Sequence, residues 1–256
     1  MPNTRVAIPS HINTIPFLFG LQHHEVKSDI DLTLLDSNNT IDWLKENKAD
    51  LALVSVEMLH DLENFQLVSN FCISAQREMH PSILCINGKT SNLTTIYLDS
   101  KLPTTTSVVH ILANKYWKCH PTYMPLPSEE KAQSLKPGEG VVLVKDEAMD
   151  EFPLQDNAID LSSEWKKFTG LPLVTAVWIS LKPLPRSFTE QFDNALRMGV
   201  NNIDAALMEI SSQDFPKAKV RRHLSQGISY MFDHEKKVSM LLFLKLQAQQ
   251  QKVLAI

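Results

Sequence analysis

The stretch 6–21 (VAIPSHINTIPFLFGL) leaves the start of this chain little freedom. Residues 5–8 are short, apolar and β-branched enough for a buried strand, and residues 10–14 show no periodicity. Pro16 suits the first turn of a helix carrying Phe17, Leu18, Phe19 and Leu21. Strand, loop and helix in that order open an α/β sheet. In such sheets ligands sit beyond the carboxyl ends of the strands, where helix N-termini offer free N–H groups to anions. Ser10, Asn13 and Thr14 are therefore the first candidate site residues. The same residue types also serve a bland purpose, since Ser10 and Thr14 can cap the helix and Asn13 can satisfy a turn.

The rhythm repeats. Residues 30–35 (IDLTLL) alternate as a strand and residues 40–48 (TIDWLKENK) read as a short helix. Residues 49–56 (ADLALVSV) form the continuous apolar run of a central parallel strand, and they put Ser55 at another strand end. Residues 67–73 and 82–86 are further strands, the second opening on Ser82. A turn-rich break follows at 87–92 (NGKTSN). A second α/β unit then begins, with a strand at 95–98 and a helix over 108–117. Thr104, Thr105, Thr106 and Ser107 precede that helix, and such hydroxyls can cap it or hold a carboxylate. Asp146 directly follows a strand at 140–144, and 174–180 (VTAVWIS) is one more strand. Beyond Lys182, Phe192, Leu196, Gly199, Ile203, Leu207 and Ile210 recur at helical spacing, and further helices run to the polar tail. The breaks near 86–92 and 180–185 divide the chain into one lobe of 1–86 plus 182–256 and another of 87–181. A small ligand would bind in the cleft between them.

Composition removes several classes of function. With 256 residues and 43% hydrophobic content there is material for sizeable cores, while a net charge of −4 supplies no basic footprint for nucleic acid or an anionic membrane surface. No charged segment leads into an apolar leader, and no apolar run reaches the roughly 18 residues that span a bilayer, so a cytoplasmic protein is expected. Cys72, Cys85 and Cys119 are odd in number and far apart, which suits reduced, buried thiols. Neither a glycine-rich phosphate loop nor a ligand cluster with metal spacing is visible, and the carboxylates near His23-His24 do not fall at metal-ligand spacing. No metal, nucleotide or flavin cofactor is expected.

Several segments together resemble one known family. Ser10-His11-Ile12-Asn13-Thr14-Ile15-Pro16 stands where that family has Ser-Tyr-Leu-Asn-Thr-x-Pro, and Asp50-Leu51-Ala52-Leu53-Val54-Ser55 resembles its Asp-Val-Ala-Leu-Val-Pro/Ser. Ser82-Ile83 is similar to its Ser-Val pair, Thr104-Thr105-Thr106-Ser107 to its Ser-Arg-Thr-Ser, and Lys145-Asp146 to its Gly-Asp. Residues 160–178 match its long Asp-Leu…Trp…Thr-Gly-Leu-Pro…Trp segment, and the tail from His223-Leu224 through Ser229-Tyr230 to Phe243 matches its closing helices. The family is the chorismate dehydratases of the futalosine route to menaquinone, which share the two-lobed α/β fold of type II periplasmic-binding proteins, with a helical carboxyl tail.

The resemblance implies a cofactor-free lyase that takes chorismate, a small dicarboxylate, to the enolpyruvyl ether of 3-hydroxybenzoate. It implies that Ser10, Asn13, Ser55, Ser82, Thr106 and Ser107 orient the substrate, with Asn13 and Ser82 foremost in catalysis and Thr14, Thr104, Thr105 and Asp146 around them. The base is either a carboxylate of the substrate or His11, whose ordinary pKa near 6.5 suits that work. Four departures touch the cleft: His11 for Tyr, Thr105 for Arg, Lys145 for Gly, and 76–80 for a Gly-containing turn. Arg77, His80 or Lys145 could restore the lost positive charge. Two other functions remain, a non-catalytic carboxylate-binding protein of this fold and, last because its opening motif differs, the related 1,4-dihydroxy-6-naphthoate synthase.

Overall fold

The computed structural model describes residues 3–75, 82–98, 103–144, 158–209 and 217–254. The opening unit forms as its residues dictate. β1 (Thr4–Pro9) is followed by a single tight turn at Ile12–Thr14 and by α1 (Ile15–His23), with Pro16 in its first turn. β2 (Ile30–Leu35), α2 (Thr40–Lys45), β3 (Leu51–Ser55) and β4 (Gln66–Ala75) follow. The chain then forms β5 (Ser82–Ile86), β6 (Thr95–Leu98), α3 (Pro103–Leu112), β7 (Thr122–Pro125), β8 (Glu139–Val144), β9 (Ala158–Asp160) and α4 (Leu161–Thr169). After β10 (Val174–Ser180) come α5 (Arg186–Asn201), α6 (Ile203–Glu209), α7 (Lys217–Arg222), β11 (Ile228–Met231) and α8 (His234–Leu254).

Among the described residues the strands form two sheets, a six-stranded one in the order β11-β4-β10-β3-β1-β2 and a five-stranded one in the order β7-β6-β8-β5-β9. In the first, β1 runs parallel to both β2 and β3, while β10 lies antiparallel between β3 and β4. This is the two-sheet α/β architecture that the sequence leads one to expect, with the helical tail present as α8.

The chain changes sheets one strand earlier than the turn-rich breaks suggest. Ser82–Ile86 pairs with β8 and β9 in the second sheet, and Val174–Ser180 pairs with β3 and β4 in the first. The physical reason is local. Residues 87–92 form a turn inside the second sheet, and the prolines at 183 and 185 mark the approach to α5, so neither break reports a crossing. The crossings are tied side by side: the Ala75 N–H and the Ser74 hydroxyl both donate to the main-chain oxygen of Leu173, each at 2.9 Å. Gly170, at φ 75°, ends α4 in the left-handed conformation that glycine adopts without strain, and the chain then turns into β10.

One apolar core runs through both sheets. It takes Ala52 and Val54 from β3, Leu84 from β5, Ile96 from β6, Val109 and Leu112 from α3, Trp165 from α4 and Phe243 from α8. Trp165 is fully buried, its ring meets Phe243, and its indole N–H donates to Ser239 at 3.1 Å. A second core on the outer face of the first sheet packs Phe17 and Leu21 of α1 against Phe71, Trp178, Phe192 and Leu196. Burying one such ring stabilises by about 1.5–3 kcal/mol, so α1 is held by its apolar face rather than by helix propensity. All three cysteines are free and buried, and burial pushes the Cys72 thiol up to about 12, which leaves it unreactive. Among the described residues, no helix is long and apolar enough to cross a membrane.

Candidate active site at the strand ends

Strand direction gathers the candidate residues. β1 to β3 run in parallel and β4 runs with them, so their carboxyl ends share one edge with the amino ends of the antiparallel β10 and β11. That edge carries the loop 10–14, Ser55, Ser74 and Thr175. In the second sheet the amino end of β5 lies with the carboxyl ends of β6 and β8, which brings Ser82 beside the start of α3. Ser74 and Ser82 thus stand at the two ends of one crossing.

The loop 10–14 divides its side chains between those that hold the turn together and Asn13, which reaches the tail of the chain. Thr14 is 1% exposed, and its hydroxyl lies 2.8 Å from the main-chain oxygen of Pro9 and 2.7 Å from that of His11. It locks the turn, in contrast to the ligand contact expected of it. His11 is exposed and caps the turn, with its ring Nδ1 accepting the Asn13 N–H at 3.2 Å. A neutral imidazole that accepts at Nδ1 carries its hydrogen on Nε2, so this geometry leaves no ring lone pair for a substrate proton. Ser10 is exposed, and its N–H is bound to Leu35.

Asn13 differs from its neighbours. It is 8% exposed, its main-chain oxygen accepts from the Tyr230 hydroxyl at 3.1 Å, and its carboxamide oxygen lies 2.6 Å from Nε2 of His223. Burial pushes the Tyr230 phenol well above its ordinary value, which keeps it a donor. Sequence reading did not select His223 or Tyr230 as site residues. Both stand in the tail segment that matches the family, yet His223 lies 210 residues beyond Asn13, and no spacing rule links positions so far apart.

On the other sheet, Ser82 is buried and its Oγ lies 3.1 Å from Oγ1 of Thr105. Thr105, Thr106 and Ser107 are partly exposed, and with Thr104 they occupy the start of α3, where unpaired N–H groups favour an anion. Ser55 is partly exposed at the end of β3, its Oγ 3.5 Å from the main-chain oxygen of Thr175. Asp146 lies outside the described residues, as do Arg77, His80 and Lys145, the three candidates for replacing the lost arginine. Among the described residues, no three His, Cys, Asp or Glu side chains gather as a metal site would require. The described groups at these strand ends are therefore hydroxyls, one carboxamide and two histidines that already hold hydrogen bonds.

A family model described as menaquinone biosynthesis matches residues 4–249. No curated protein matches the sequence. Among solved structures, a structural-genomics protein from Archaeoglobus fulgidus superposes with a TM-score of 0.71 at 14% identity, covering 98% of each chain. A Candida albicans protein described as having the generic periplasmic-binding-protein fold gives 0.60 at 13% identity, over 97% of this chain and 90% of that one. The periplasmic aliphatic sulphonate-binding protein of Escherichia coli gives 0.61 at 10% identity, over 98% and 88%. At these identities the likeness establishes the fold.

Proposed function

The chain belongs to the menaquinone biosynthesis family, and from that premise we propose that it is a lyase that removes water from chorismate to give the enolpyruvyl ether of 3-hydroxybenzoate. The observation that carries this reading is the donor set: Asn13 and Ser82 are buried at the strand ends of the two sheets, and Ser82 is paired with Thr105 at the first turn of α3. A dianionic substrate needs donors and no reagent from the protein. Its carboxylates fit the Asn13 amide, the Ser82–Thr105 hydroxyls and the N–H groups of α3.

Chemically, the C–H bond of the ring carbon that bears the enolpyruvyl ether breaks, and its electron pair becomes the third ring double bond. The neighbouring C–O bond also breaks, and the hydroxyl leaves with the proton as water. Aromaticity drives the step, and the protein lowers its barrier by orientation and by donors aimed at developing charge. With the His11 ring nitrogen already accepting a hydrogen bond, the proton goes first to a substrate carboxylate held over it. The reading includes a cytoplasmic protein that needs no metal, nucleotide or flavin, that works on a small dicarboxylate apart from nucleic acid and membrane, and whose lobes close on the cleft between them.

A second reading, carboxylate binding without turnover, is favoured by Thr105, which stands where the family has an arginine. Losing a charge-assisted clamp costs about 1.5–3 kcal/mol of binding. Incubating the purified protein with chorismate and following the products by mass-resolved chromatography separates the two. The expected result is loss of one water and appearance of the aromatic ether. Chorismate recovered unchanged, with binding detectable by calorimetry, would replace the first reading with the second.

A further inference from the structure

His223 is 1% exposed and opens a wide π turn, His223–Gly227, a rare backbone form that is common at functional sites. Around it the site loop and the tail are one packed unit: Val220 and Leu224 are buried against Ile12 and Ile15, which bracket Asn13 and Thr14. The 2.6 Å contact between Nε2 and the Asn13 carboxamide oxygen is sheltered from water on both sides. A carboxamide oxygen has no hydrogen to give, so the ring is the donor.

We infer that His223 is a positioning residue, whose Nε2–H holds the Asn13 carboxamide oxygen so that the site offers a substrate anion only the amide hydrogens of Asn13. The inference rests on the reaction proposed above. The terminal torsion of asparagine is broad and nearly two-fold, so without a fixed partner the amide and the oxygen exchange places. An oxygen turned toward a substrate carboxylate repels it where a donor is needed. The Tyr230 hydroxyl fixes the Asn13 main chain, and His223 fixes the remaining freedom of the side chain. Both the Nε2–H neutral ring and the imidazolium donate at Nε2, so this role carries no pH dependence of its own. A general base in the same place would lose activity on protonation.

The test compares His223→Gln, which keeps a donor near the Nε2 position, with His223→Phe, which removes it, and with His223→Asn, whose shorter amide falls at Nδ1. The His223→Phe and His223→Asn variants should lower kcat/KM for chorismate on the order of 10- to 100-fold, as misplacement of a positioned group does. His223→Gln should recover to within about threefold, and His223→Phe placed on Asn13→Ala should cost less than about twofold more, the non-additivity of a residue acting through another. Should the phenylalanine variant fail to fold, the asparagine and glutamine variants carry the same comparison. A second readout needs no substrate: the Asn13 side-chain amide pair in nitrogen-15 spectra should shift or broaden in His223→Asn and return in His223→Gln. An amide pair unchanged in His223→Asn, or full additivity with Asn13→Ala, would overturn the inference. Wild-type protein that leaves chorismate untouched would sink the proposed reaction, while the amide spectra would still decide the role of His223.

Discussion

Gly199→Ala should cost about 3 kcal/mol of stability or more, at the upper end of what overpacking does. The size follows from backbone meeting backbone. A Cβ on Gly199 would lie 1.7 Å from the Pro16 main-chain oxygen, and one on Gly20 would lie 2.0 Å from that of Ala195. No side chain can swing aside at either place, so α1 and α5 must separate, and the layer joining Phe17 and Leu21 to Phe192 and Leu196 separates with them. Pro16 sits three residues after Asn13, so the shift also moves the site loop. Thermal unfolding followed by circular dichroism should show Tm falling by roughly 6–12 °C, the scaling for a chain of this length. A change below about 1 kcal/mol would mean that the two helices are not locked at these glycines.

Asn13→Ala and Ser82→Ala should each lower kcat for chorismate by at least about 100-fold, the scale for losing one donor aimed at developing charge. Neither residue holds the fold in the way Thr14 does. The Asn13 side chain meets His223, and the Ser82 hydroxyl meets Thr105, so each substitution removes a donor at a strand end while the backbone hydrogen bonds of β1 and β5 remain. Thr14→Ala provides the contrast. It should act on stability, because its hydroxyl is spent on the main-chain oxygens of Pro9 and His11. Steady-state kinetics on protein with unchanged circular dichroism decides the matter. A loss below about tenfold in both variants would remove these residues from the reacting centre.

Much of the architecture is legible because it is local. The period change at Pro9, the proline at the start of α1 and the unbroken apolar run of β3 each report on their own few residues, and the strands and helix form there. The crossings are less legible. A turn signal marks a turn in the same way inside a sheet as between sheets, and only pairing with β8 or β3 tells which strand belongs where. The site divides along the same line. Strand-end position picks out Asn13 and Ser55, the family resemblance adds Ser82, and the turn-locking bonds of the Thr14 hydroxyl and the His11 ring depend on how the turn closes. His223 and Tyr230 arrive from the far end of the chain, and their part appears only once β11 pairs with β4. The close approach at Gly199 is likewise tertiary, since in sequence it reads as one more position on the apolar face of α5.

In the proposed reaction the site is one of donors, the substrate supplies the base and the His11 ring caps a turn. Replacing His11 by the family's tyrosine tests this most directly, because tyrosine cannot take a proton near neutral pH. Turnover of chorismate by His11→Tyr within about threefold of wild type, with kcat free of an ionisation near 6.5, is the expected result. A loss of 100-fold or more, roughly the contribution of a general base, in a variant whose circular dichroism matches wild type would contradict it and make His11 the base.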